Sequence, residues 1–261
     1  MPAATPLSEQ LSEMAADVSI GIETALKRHL SLLPAKPSLS DSTKAHIKRY
    51  IPPKALPRYE TPEQAIALLA MEISGIGARI SKYQFIERYR DHFEPAGAEM
   101  RVAFVSHIHH LRGAEVYLIM ERCIKCLGFF FDLATNLDLG PNSTARWLTK
   151  RFKEKFDRHL RERHQLTHAH ERPSLVSRLT SIPATELNEP EVAKTFTHAI
   201  ATFMSLISPQ LRDRQYKSSE EALAAINTFR LESVDEECLE MWSIFVEALH
   251  DLIDVNQLRK E

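Results

Sequence analysis

The chain has 261 residues, with 33 lysines and arginines against 35 aspartates and glutamates; the formal charge of −2 excludes nucleic-acid binding by global charge and leaves only a local basic surface. Hydrophobic residues at 44% and charged residues at 26% are globular values, unlike those of disordered, collagenous or membrane chains, and the length suffices to bury a sizeable core. Only 7 glycines are present, too few for a many-stranded protein with tight turns, so the composition predicts an all-α fold.

Residues 7–33 space Leu7, Leu11, Met14, Val18, Ile22 and Leu26 three to four apart, which predicts an amphipathic helix with those residues inward. Residues 34–62 then hold Pro34, Pro37, Pro52, Pro53, Pro57 and Pro62 around a short candidate helix, STKAHIKRY. Proline at that density breaks helices, so the stretch reads as a linker or an arm laid on the body, and the expected division is an N-terminal helix and Pro-rich arm, 1–61, before a helical bundle, 62–261.

Thr61, Pro62 and Glu63 form a helix start, with threonine as cap and proline at the first helical position. The helix expected over 62–93 lines Ile66, Leu69, Ile73, Ile76, Ile80 and Phe85 on one side, with Gly75 and Gly77 as possible bends. Those glycines resemble the opening of a dinucleotide-binding fingerprint, but Ile80 stands where the third glycine belongs and no strand precedes it.

After EPAG a second long helix is expected to about Asn136, with Met100, Phe104, Ile108, Leu111, Val116, Ile119, Cys123 and Leu127 in phase and Leu127 to Leu133 buried on all sides. The turn NLDLGPNS precedes a third helix, 143–168, capped by Ser143 or Asn142. Further helices are expected at 174–181, 191–207, 218–231 and 235–255, with no internal repeat.

Three cysteines, Cys123, Cys126 and Cys238, are too few and odd in number for a disulfide framework, the first residues lack a signal peptide's pattern, and the longest apolar run, LGFFFDLA, is too short to span a bilayer. A cytoplasmic protein without membrane contact is expected. Cys123 and Cys126 form a C-x-x-C on the same helix as His107, His109 and His110, but no second pair follows at finger spacing, so no metal and no other cofactor is expected. Nucleophile elbow, P-loop and metalloprotease motifs are absent from the sequence.

The third helix is strongly basic. From Arg146 to Arg172 it carries Arg146, Lys150, Arg151, Lys153, Lys155, Arg158, Arg161, Arg163 and Arg172 against Glu154, Asp157, Glu162 and Glu171, with His159, His164, His168 and His170 interspersed. Phosphate contact explains such a surface; so does a solvated helix face. Leu148, Phe152, Phe156 and Leu160 define its inward stripe, which continues at 100° per residue to Arg163, His164 and Thr167. Polar groups on an inward face serve a site, an interface or a buried network, unless the helix simply projects beyond the body. Arg161, His164 and His168 share a face, whereas Arg163 and His168 lie about 140° apart on a continuous helix, so their cooperation requires a helix break or a partner chain.

The stretch Arg163-His164-Gln165-Leu166-Thr167-His168 resembles the R-x4-6-H signature of the HEPN superfamily, helical bundles with long antiparallel helices. Arg101 to His107, Arg158 to His164 and Arg161 to His168 have similar spacing; Arg163 is set apart by the polar residue after it, Ala169 after the histidine, and the basic helix around it. The resemblance covers residues 62 to 182. It implies a homodimer in which two signatures face one cleft, and RNA binding or metal-independent ribonuclease activity, often in bacterial toxin or phage-defence systems. Arg163 would hold the scissile phosphate and His168 would transfer a proton near neutral pH, with Arg161, His164, His170 and Arg172 as further substrate-binding residues. The alternative expectation is a non-enzymatic helical protein-protein interaction module.

Overall fold

The computed structural model describes residues 7–50, 61–88, 98–137, 145–168, 182, 186–207 and 215–252. They form seven α-helices: α1 (Leu7–Leu32), α2 (Asp41–Tyr50), α3 (Pro62–Arg88), α4 (Ala98–Asn136), α5 (Ala145–His168), α6 (Pro190–Ile207) and α7 (Ser219–Leu252). A 3-10 turn, Glu186–Asn188, precedes α6, and no strand occurs among the described residues, so the fold is all-α as the composition predicts. Two compact units are present, one comprising 1–82, 116–157 and 238–261, the other 83–115 and 158–237.

In the first unit α1 buries Leu11, Ala15, Ile22, Leu26 and Leu30. Met14, expected on that stripe, is 43% exposed. Ala15 takes the inward place because a small side chain is needed there: a Cβ on Gly77 of α3 would lie 2.2 Å from the Ala15 Cβ and 3.6 Å from Trp242 Cζ3 of α7. Close packing of three helices thus fixes both small residues.

The start of α3 is a reciprocal cap, in which Gln64 N–H donates to Thr61 Oγ1 (3.4 Å) and Thr61 N–H donates to Gln64 Oε1 (3.1 Å). Ile66, Leu69, Ile73, Ile76 and Ile80 are buried, as their spacing predicts. Phe85 is 41% exposed instead, since it falls about 140° round the helix from Ile80, where Tyr83 and Gln84 take the inward positions. The helix runs unbroken through Gly75 and Gly77. Gly75 leaves room for the Arg122 guanidinium, whose Nη2 would lie 2.8 Å from a Cβ there and which forks onto the buried Glu72 carboxylate (Nη2 to Oε2 3.0 Å).

Helix α4 follows its expected span, but Met100 is 64% exposed, about 80° round the helix from the buried Ile108. Its stretch Leu127 to Leu133 is not buried on every side: Phe131 and Asp132 are half-buried. The Asp132 side is covered by α2, where Ser42 Oγ donates to the carboxylate and His46 Nε2 lies 2.9 Å from Oδ2. Asn136 Nδ2 donates to Thr43 Oγ1 (2.9 Å), and the His46 ring stacks on Phe129. The candidate helix in the Pro-rich stretch is therefore real and seated on α4 by a polar clasp.

In the second unit, Phe196, Ile200 and Met204 of α6 pack with Ala222 and Ile226 of α7, closed by Leu187 and Tyr216, while Phe203 and Phe229 meet edge to face at 6.0 Å. The two helices expected at 218–231 and 235–255 are one, α7. No glycine or proline lies between Leu231 and Asp235 to break the backbone, Val234 and Cys238 are buried on the inward stripe, and Asp235 and Glu237 find partners on another helix.

Candidate functional site

Helix α5 begins by packing Leu148, Phe152 and Phe156 inward. Between Ala145 and Arg161 its remaining faces carry Arg146, Lys150, Arg151, Lys153, Lys155, Arg158 and Arg161 against only Glu154 and Asp157. Arg146, Lys150, Lys153, Arg158 and Arg161 are exposed. Partial neutralisation comes from Glu154, 3.7 Å from Lys150 and 3.9 Å from Arg151, and from Glu240 of α7, 3.2 Å from Lys155. Such exposed pairs cancel little of the field. Arg146, Thr149, Lys150, Lys153, Glu154 and Asp157 line a shallow open depression of about 500 Å³.

At Phe156 the backbone leaves the helical region (φ −114°, ψ 20°), so the four-residue stripe does not continue in register. Leu160, expected inward, is only half-buried, and His159, 15% exposed, turns toward α7. A polar side chain thus turns inward at His159. Arg163, His164 and His168 lie on the last turns of α5, their side chains outside the described residues; His170 and Arg172 lie outside the described residues altogether, as does the expected helix at 174–181.

His159 leads to a cluster that sequence reasoning missed. Glu237 of α7 accepts three hydrogen bonds, from Tyr83 Oη of α3 (2.6 Å), Arg112 Nη2 of α4 (2.7 Å) and His159 Nε2 of α5 (3.0 Å). Arg112 Nε also donates to Tyr83 Oη at 3.1 Å, and its guanidinium lies 5.7 Å from the Tyr83 ring centre. Burial works to raise the Glu237 pKa, but the His159 hydrogen bond, the Arg112 charge and the Tyr83 hydroxyl outweigh it and hold the carboxyl at about 2. Burial pushes the Tyr83 phenol well above its ordinary value, so it remains a neutral donor. The adjacent Gln84 Nε2 donates to Asp235, two residues before Glu237 on α7. The available signal was phase: Glu237 lies in the inward stripe of α7 beside Val234, Cys238 and Met241, and a charged residue there demands partners.

No protein-family model matches this chain, and no curated protein or solved structure matches it either. Chemical meaning therefore rests on the residues themselves. Cys123 and Cys126 are fully buried and free, and burial pushes both thiols up, which keeps them protonated and poorly nucleophilic. His107 is exposed, while the side chains of His109 and His110 lie outside the described residues; among the described residues no three His, Cys, Asp or Glu side chains converge as a metal site would require. No described helix is long and apolar enough to cross a membrane.

Proposed function

We propose that the protein is a HEPN-like, RNA-directed protein, a metal-independent endoribonuclease or a binder derived from one, in which Arg163 and His168 act on a phosphodiester at a cleft shared by two copies. The observation that carries this reading is the exposed basic face of α5: Arg146, Lys150 and Lys153 flank an open depression on a chain whose net charge is −2, and the same helix continues into R-x4-H. A cationic face that the overall charge does not require suits a phosphate backbone, and it leads toward the two residue types that phosphodiester cleavage without metal needs. Arginine's planar fork binds a phosphate through two oxygens, and histidine moves a proton near neutral pH. Two copies would supply the second Arg-His pair that a single helix cannot aim at one point.

The test is cleavage of single-stranded RNA by the purified protein in the presence of a chelator. Arg163→Ala and His168→Ala are each expected to lower the rate at least about 100-fold while leaving helical content and melting temperature near wild type. Unchanged cleavage in both variants would sink the reading. A fall in melting temperature with no activity in the wild type favours the non-enzymatic interaction module, in which these side chains serve packing.

A further inference from the structure

Glu237 gathers donors from three other helices on one side chain, all within the second unit. Two of these donors belong to other helices, Tyr83 to α3 and Arg112 to α4. The third, His159, is on α5 itself, four residues before Arg163, hence one turn earlier on the same helical face. A carboxylate can only accept, so His159 Nε2 must carry the proton in this bond. That requirement fixes the ring's orientation, because turning the ring would leave a buried acceptor without its donor.

The anchor also follows the irregular backbone at Phe156. Just beyond it, the bond from His159 to Glu237 ties the following turn of α5 to α7. Tyr83 and Arg112 hold the far side of Glu237, so the carboxylate is fixed before it fixes anything else.

We infer that Glu237, acting through His159, is a positioning residue for the Arg163–His168 pair: the cluster sets the rotation of α5 one turn ahead of Arg163 and so sets where both groups meet a phosphodiester. This rests on the reading that Arg163 and His168 act on RNA. Neither Glu237 nor His159 need touch the substrate; their effect is geometric, and misplacing a reacting group by about 1 Å can cost on the order of 100-fold in rate.

The experiment compares RNA cleavage kinetics of the full chain with His159→Gln, His159→Asn, Tyr83→Phe and Arg163→Ala. Glutamine carries an amide N–H at a reach close to that of Nε2, whereas asparagine falls one carbon short, so the two variants match in polarity and differ in whether Glu237 is reached. His159→Asn is expected to lower kcat about 10- to 100-fold with KM within about twofold, and His159→Gln to recover kcat to within about threefold of wild type. Tyr83→Phe removes one bond from the same cluster without touching α5, leaves Arg112 holding the same Glu237 oxygen, and is expected to keep kcat within about twofold while lowering the melting temperature. Wild-type kcat in His159→Asn overturns the inference, as does an equal loss in His159→Gln, or a loss in Tyr83→Phe as large as that in His159→Asn, since each makes the cluster merely structural. Failure of the underlying reading looks different: the wild type does not cleave, or Arg163→Ala cleaves as well as wild type, and either result overturns both.

Discussion

Glu237 ties its ionisation to the fold. Its ordinary carboxyl pKa of 4.5 falls to about 2 in the folded state, because His159, Arg112 and Tyr83 together outweigh the opposing effect of burial. A depressed acid pKa contributes stability that is fully present above pH 4.5 and is lost as pH falls from there through about 2. Removing the charge alone, as in Glu237→Gln, leaves Arg112 half-buried opposite a neutral amide, and a cost of about 3 kcal/mol at pH 7 is expected. Thermal melts at pH 7, 4.5 and 2.5 check this: the gap between wild type and variant should be constant from pH 7 to 4.5 and narrow steeply below. A gap independent of pH throughout would show that the charge contributes nothing to the fold.

The helices differ in how far local pattern specifies them. In α3 the Thr61–Gln64 cap and the isoleucine stripe are written in consecutive residues, so start and inward face are both readable. Gly77 is not readable in that way, because its reason lies in Ala15 and Trp242 on two other helices. Gly77→Ala would normally favour a helix, by up to about 1 kcal/mol. Here the added Cβ meets the Ala15 Cβ, α1 must move, and a net loss of about 2 kcal/mol is expected, measured by denaturant unfolding. Ala15→Gly in the same chain should recover part of it, since the two sites are coupled; additive losses would show that α1 and α3 do not press on each other there. The same distinction explains α7, where two helices, 218–231 and 235–255, were expected. Glu237 and Asp235 have partners 154, 151, 125 and 78 residues away in the chain, and no window of local sequence contains those distances. Of the candidate site, the basic face of α5 was legible as composition and phase; the Glu237 cluster and the irregularity at Phe156 were not, because both are set by packing.

Across the whole molecule, charge is nearly balanced, so binding of RNA would draw on one face and not on a general field. Three phosphates neutralised by Arg146, Lys150 and Lys153 would give a log-log salt slope of about −2 on single strands, or a loss of roughly twenty-fold between 50 and 200 mM salt. Lys150→Glu with Lys153→Glu should flatten that slope by about 1.4, as read by titration at several salt concentrations; binding indifferent to salt would remove the α5 face from consideration. The division of the chain into units has a further consequence, one of timing. The first unit draws on residues before 83 and again on residues after 237, and the contact of Gly77 with Trp242 joins those two ends. On a ribosome the core around Leu11, Ile76 and Gly77 waits for more than half of the chain to be made before Trp242 arrives, whereas the pieces of the second unit, 83–115 and 158–237, have all been made by then. A nascent chain arrested before residue 238 would thus leave α3 at Gly77 without Trp242, and for that interval the protection of this place falls to whatever chaperone meets the emerging N-terminal helices.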